Sequence, residues 1–264
     1  MSSPSRRFVR SALPWAVPVA ALLLWQAASY FQWISSRAVP SPGDVLRAGI
    51  RTAASGDLLR HVGVSTARAA VGFVIGGALG LIFGLINGVW DTAARLFDST
   101  IQMIRNVPHL ALIPLFIMWF GIDERVKVYL VALGVFFPMY LNTYHGVRTV
   151  DAGLIEMGRV YGLTRAELFR QVIFPGALPS ILVGVRFALG ITWLTLVVAE
   201  TIAASSGIGY MTMNAREFLQ TDVVVLGILI YAVLGKLADS ATRWLEKRCL
   251  AWHTAFADAG AQSL

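Results

Sequence analysis

The chain has 264 residues, of which 56% are apolar and only 14% charged, with a mean hydropathy of +0.66. A water-soluble domain carries about a quarter charged residues, so a soluble globular fold is excluded, and the length suits one domain or at most two. The formal net charge is +7, but the basic residues stand singly or in pairs with no aromatic strip among them, which argues against nucleic acid and suits cations that flank membrane spans.

A hydrocarbon core about 30 Å thick needs about 20 mostly apolar residues in helix. Six stretches meet that need: Pro14–Trp33, Val62–Val89, Ile101–Gly121, Val126–His145, Ile181–Ala204 and Val223–Ala241. They are continuously apolar and too long for barrel strands. The expected fold class is therefore all-α: a polytopic membrane protein of about six helices. Residues 1–13 and 255–264 read as tails around a membrane domain spanning 14–254. The first stretch follows Arg6, Arg7 and Arg10, but its apolar run exceeds a signal core and no small-x-small cleavage site stands out, so it is read as an uncleaved span.

After the first span, Pro40-Ser41-Pro42 breaks the chain, and Val45, Leu46, Gly49, Ile50 and Ala53 recur at helical spacing. A short amphipathic helix at the outer surface is expected there. Placing the N-terminus in the cytoplasm puts Arg95, Arg148, Arg159, Arg165, Arg170, Arg243, Lys247 and Arg248 inside, against Arg37, Arg47, Arg51, Arg60, Arg125 and Arg216 outside. With Arg6, Arg7 and Arg10 added, the inside set is larger, as the positive-inside rule requires. Both termini are then cytoplasmic.

Ionisable groups inside spans default to functional candidates. Arg68 lies in span two and Arg186 near the cytoplasmic end of span five; snorkelling to the interface is an equal reading for both. Glu200, near the outer end of span five, either faces water at the mouth beside Ser205-Ser206-Gly207 or lines the pathway or gate. Arg105, His109, Asn142 and Arg186 offer donors or positive charge toward the inner half. Pro108, Pro114 and Pro138 interrupt helical hydrogen bonding in spans three and four, with a static kink as the simpler reading over a hinge. Trp15, Trp33, Trp90, Trp119 and Trp244 suit interfacial anchors.

The polar loop near residues 146–180 is the most informative segment. Asp151 can cap a short helix from Ala152 to Tyr161, with Leu154, Met157, Gly158 and Tyr161 on one face and Glu156 and Arg159 on the other. Gly162 supplies a left-handed corner. Thr164-Arg165-Ala166-Glu167 has the form of a capping box and opens a second helix, expected to stop at Pro175. Two capped helices with apolar faces want a protein partner.

Glu156, Gly162, Val172, Phe174 and Pro175 match the spacing of the EAA loop of ABC-importer permeases: Glu-Ala-Ala, three residues, Gly, nine residues, Ile-x-Leu-Pro. Met157-Gly158 replaces the two alanines, and Val172 and Phe174 replace Ile and Leu. The resemblance runs from about Pro14 to His253 and looks closest to the nitrate/sulfonate/taurine group, aliphatic-sulfonate permeases foremost. It is carried by the stretches 105–114, Trp119–Glu124, Gly184–Gly190, Val198–Ile202 and Asn214–Asp222.

What the resemblance implies is a type I ABC-importer permease fold with cytoplasmic coupling helices, in a bacterial inner membrane. It implies a homodimer, two ATPase subunits holding ATP and Mg, and a periplasmic substrate-binding protein. The cargo implied is an aliphatic sulfonate, with taurine or nitrate as alternatives. Glu156, Arg159, Gly162, Val172, Phe174 and Pro175 would form the ATPase-coupling loop.

Absences agree with a non-enzyme. No G-x-x-x-x-G-K-[ST] phosphate loop occurs, and Gly235-Lys236 is followed by Leu inside a span, so ATP hydrolysis is expected in another chain. No hydrolase motif is visible, so no catalytic residue is assigned. Cys249 is the only cysteine, and His61, His109, His145 and His253 are too dispersed for a metal motif, so no cofactor or metal is expected on this chain. An ion-coupled secondary transporter would show inverted repeats with matching broken helices, and none is seen. A membrane-embedded enzyme or assembly factor is the remaining rival.

Overall fold

The computed structural model describes residues 4–33, 35 and 39–252. The side chains of Arg6, Arg7, Arg10 and Trp15, and all of Arg37, His253 and the 255–264 tail, lie outside the described residues. The helices are α1 (Pro4–Tyr30), α2 (Pro42–Ala54), α3 (Asp57–Val89), α4 (Asp91–Arg105), α5 (Ile113–Phe120), α6 (Glu124–Arg148), α7 (Ala152–Val160), α8 (Arg165–Leu168), α9 (Phe174–Ala203), α10 (Ile208–Glu217) and α11 (Thr221–Cys249). A 3-10 turn (His109–Leu112) precedes α5, and a π-helical turn (Phe169–Ile173) joins α8 to α9. The described chain is all-α.

Four helical runs are long and apolar enough to cross a membrane: α3, α6, the run Arg165–Ile202, and α11. The first predicted span falls on α1, whose stretch Ala16–Tyr30 is apolar. It touches the rest of the fold through α2, and Trp25 Nε1 donates to the Pro40 carbonyl at 3.0 Å.

The third predicted span needs correcting. It is not one helix, because α4 and the segment His109–Phe120 meet at 80°. Pro108 sits at the break, has no N–H to donate, and biases Val107 away from helical backbone. Pro114 lies in the first turn of α5, where proline is tolerated, and Pro138 stays inside a continuous α6. The sixth span is also longer than Val223–Ala241, since α11 continues to Cys249.

The core lies around α6, which packs between α3 and α9. What lets α3 approach so closely is a stripe of glycines four apart: Gly72, Gly76, Gly80, Gly84 and Gly88. A Cβ at Gly72 would stand 2.6 Å from Val131 Cγ1, and one at Gly88 would stand 2.6 Å from Val147 Cβ. At Gly76 it would meet the backbone carbonyl of Ala132. Small residues on one helical face are how helices pack in lipid, where no hydrophobic drive separates tails from side chains. Val131, Val135, Met139, Ile181 and Leu196 fill the space this contact encloses. Large apolar residues on the outer faces of α1, α3 and α11 stay exposed, among them Leu24, Val74 and Val233.

Candidate functional site

The corner at residues 151–167 forms as its residues dictate. Asp151 accepts the Gly153 N–H at 2.8 Å and starts α7. The helix ends with Gly162 at φ +79°, Gly162 N–H on the Arg159 carbonyl and Leu163 N–H on the Gly158 carbonyl, both at 3.0 Å. Those two bonds satisfy carbonyls that a helix end leaves orphaned. Thr164 and Glu167 then form the full capping box, Glu167 N–H donating to Thr164 Oγ1 at 3.3 Å and Thr164 N–H to Glu167 Oε2 at 2.8 Å.

Beyond the box the structure departs from expectation. The second helix does not stop at Pro175. Instead the Phe174 N–H bonds the Phe169 carbonyl, one residue further back than in an α-helix. This widened turn sits just ahead of Pro175 and lets α8 run on into α9. Val172 is partly buried in that turn and Phe174 is exposed. Across the corner, α7 lies against α8 with Gly158 beneath Leu168; a Cβ at Gly158 would stand 2.7 Å from Leu168 Cδ1. Glu156 and Arg159 face solvent, as do Leu154, Met157, Val160 and Tyr161. A short helix is thus placed between α6 and the α8–α9 run, with apolar residues uncovered.

The other polar concentration is a buried charge cluster at the opposite end of the bundle. Arg68 of α3 does not snorkel: it is 5% exposed and donates from Nε, Nη1 and Nη2 of its guanidinium. Nη1 meets Glu200 Oε1 of α9 at 2.6 Å and the Ser206 carbonyl at 2.7 Å. Nη2 donates to Ser206 Oγ at 2.9 Å, and the Nε edge pairs with Glu124 at the start of α6. Lys127, also buried, reaches Glu124 Oε1 at 2.8 Å.

Glu200 does not face water. Its carboxylate is buried and also takes Ser65 Oγ–H, the Gly209 N–H at 3.0 Å and Tyr231 OH at 3.3 Å. Two cations and two carboxylates balance, and nearly every donor is used. That balance is what makes burial of Arg68, Lys127 and Glu200 tolerable.

The remaining candidates do not converge on one place. Arg186 pairs with Glu246 at 2.7 Å and with Asp239 at 3.6 Å, both on α11, so it is not a free positive charge. Glu246 is buried and lies in the part of α11 beyond the expected span end. His109 Nε2 and Thr195 Oγ1 share a hydrogen bond at 2.9 Å. Asn142 Nδ2 donates to the Pro138 carbonyl at 2.8 Å, and its own carbonyl accepts Ser180 Oγ–H at 2.7 Å, tying α6 to α9. Arg105 is exposed at the end of α4, with no ion pair among the described residues. A polar cavity of about 490 Å³, lined by Arg51, His61, Tyr210, Asn214, Gln220 and Asp222, opens beside the buried cluster, and His61 accepts the Gly207 N–H. No group of metal-ligating side chains occurs among the described residues.

Sequence reading missed Ser65 and Lys127 and left Arg68 ambiguous. The available signal was charge balance: a cation inside one span calls for a carboxylate from another, and Glu124 and Lys127 stand at i,i+3.

Comparison with known proteins fits this architecture. Residues 76–250 match the family described as binding-protein-dependent transport system inner membrane component. The chain is 57% identical, over 97% of both chains, to the aliphatic sulfonates transport permease protein SsuC of Escherichia coli (strain K12). It is 37% identical to the taurine transport system permease protein TauC of the same organism, covering 88% of this chain and 86% of that one. A solved structure of an amino acid ABC transporter shares the fold, with a TM-score of 0.59 at 20% identity over 71% of this chain and 92% of that chain. With a family match over most of its length and relatives this similar, the chain belongs to the membrane permease components of binding-protein-dependent ABC transporters.

Proposed function

We propose that this chain forms the pathway of an ATP-driven importer for aliphatic sulfonates in a bacterial inner membrane. The observation that carries the substrate is the 57% identity, over 97% of both chains, to a permease named for those compounds. Taurine, itself a sulfonate, is the second reading, supported by the more distant likeness to a taurine permease. The chain works as a homodimer, fed by a periplasmic binding protein and driven by two ATPase subunits that hold the ATP and Mg. Both termini and the 146–180 loop face the cytoplasm.

The coupling role of Glu156, Arg159, Gly162, Val172, Phe174 and Pro175 rests on shape. A capped helix with Met157, Val160 and Tyr161 uncovered, held by a glycine corner to a run that continues into α9, can pass a partner's motion straight into a span. ATP binding closes the ATPase pair, α7 moves with it, and the dimer shifts between outward and inward states. Selectivity rests mostly with the binding protein, because a pathway that held its anion firmly would not release it.

A deletion strain without redundant uptake tests the reading. It should lose growth on alkanesulfonates as sole sulfur source, and the tagged chain should bring down an ATPase subunit. Retained growth on alkanesulfonates with loss of taurine or nitrate uptake would replace the substrate and keep the permease. Labelling of an Arg165→Cys, Cys249→Ser variant by an impermeant thiol reagent from outside intact cells would overturn the orientation.

A further inference from the structure

Three of the four charges in the buried cluster are sealed in and one is not. Arg68, Lys127 and Glu200 are 5%, 2% and 1% exposed, whereas the Glu124 side chain is 53% exposed. Glu200 is fastened by Ser65, the Gly209 N–H, Tyr231 and Arg68 together. The Glu124 carboxylate is held by the two cations alone, in the first turn of α6.

If Glu124 swings outward, Arg68, Lys127 and Glu200 leave one net positive charge. The Nε/Nη2 edge of Arg68 and the ammonium of Lys127 then point at a place open to solvent. A fork of two N–H donors beside a point cation is the donor set that oxyanions take. We propose that Arg68 and Lys127 form an anion site for the sulfonate head group, with the Glu124 carboxylate as an internal stand-in that the substrate displaces. The identity of the anion rests on the alkanesulfonate reading above.

The charge count sets the selectivity. One monovalent oxyanion restores neutrality, as Glu124 does at rest, while a dianion such as sulfate leaves the buried cluster with an excess negative charge. Three sulfonate oxygens can serve both the guanidinium edge and the ammonium. Because the anion enters only by displacing a carboxylate, binding stays weak, and the return of Glu124 expels it. That is what a pathway needs.

The test uses a Glu124→Cys, Cys249→Ser permease assembled with its ATPase in membranes, with Ile122→Cys, Cys249→Ser as the exposed neighbouring control. Thiol modification is followed with 2-sulfonatoethyl methanethiosulfonate, which is anionic, and its trimethylammonium counterpart. After normalisation to position 122, the anionic reagent should be faster by at least about tenfold, as expected for a net cation within a few ångströms of the thiol. Millimolar ethanesulfonate should slow it several-fold, and sulfate at equal ionic strength should not.

Equal rates for the two reagents, or no protection by any monovalent anion, would overturn the site. Protection by nitrate but not by ethanesulfonate would keep the site and remove the alkanesulfonate assignment. Should the cysteine variant fail to assemble, Glu124→Gln keeps the shape and removes the competing charge. Calorimetric titration of that complex with ethanesulfonate should then show binding about tenfold tighter than in the parent, and unchanged affinity refutes the proposal.

Discussion

Replacing Gly76 by alanine adds one methyl group at the closest point of the α3–α6 contact. Its Cβ would lie 2.7 Å from the Ala132 carbonyl carbon and 2.8 Å from Ala132 Cα, with the carbonyl oxygen nearer still. Ordinary carbon contacts run to about 3.5–4.0 Å, so the helices must part locally by about 1 Å, and a gap of that order forfeits about a quarter to a half of each contact's attraction. Backbone cannot rotate out of the way as a side-chain tip can. Overpacking of this kind costs about 1–3 kcal/mol, offset by about 1 kcal/mol because alanine favours helix over glycine.

Gly77, one residue on, is the internal control. A Cβ there would sit 3.8 Å from Val135 Cγ1, which is ordinary contact. Gly77→Ala should therefore be neutral or stabilising by up to about 1 kcal/mol, whereas Gly76→Ala should lose up to about 2 kcal/mol net and fall below Gly77→Ala in stability. Thermal unfolding of the purified proteins in one detergent, repeated in lipid nanodiscs, reads the difference. If Gly76→Ala proves as stable as Gly77→Ala, the glycine stripe is not what sets the approach of α3 to α6.

Gly162→Val forces a β-branched residue to φ +79°; the protein should still insert, but substrate-stimulated ATP hydrolysis should fall at least tenfold in the reconstituted complex. Arg186→Glu places a third carboxylate beside Glu246 and Asp239, so growth on alkanesulfonates should suffer far more than with Arg186→Lys, and equal growth would count against a role for that pair. At the start of α2, hydrogen bonds from Ser41 hold the Asp44 carboxyl below the usual carboxylate range. A lowered folded-state value means that the cap's support is present above the unfolded value near 4 and is lost as pH falls through the folded one. Protease nicking near α2 should accordingly rise below about pH 4, and a Ser41→Ala variant should lose that pH dependence.

How much was legible in the sequence depended on whether the cause was local. The capping box at Thr164 and the corner at Gly162 are set by residues within three or four positions of one another, and each formed as read. Apolar run length likewise placed α3, α6, α9 and α11, because the requirement for about 20 helical residues per crossing acts on the chain itself.

Long-range partners were not legible in the same way. Whether Arg68 reaches water or a carboxylate depends on where α6 and α9 lie, and so does whether Glu200 faces the mouth. The 80° break at Pro108 and the uninterrupted passage through Pro175 both involve proline. The chain turns into a 3-10 segment after the first, whereas a π-turn absorbs the second. The glycines at 72, 76, 80, 84 and 88 stand in plain view at a spacing of four, yet only the packing of α6 against them shows which face they serve. Composition, run length and local capping thus determined the class and the shape of the 151–167 corner. The tertiary structure alone decided which buried charges meet, since a charge pair costs or stabilises according to its partner across the bundle and not its neighbours along the chain.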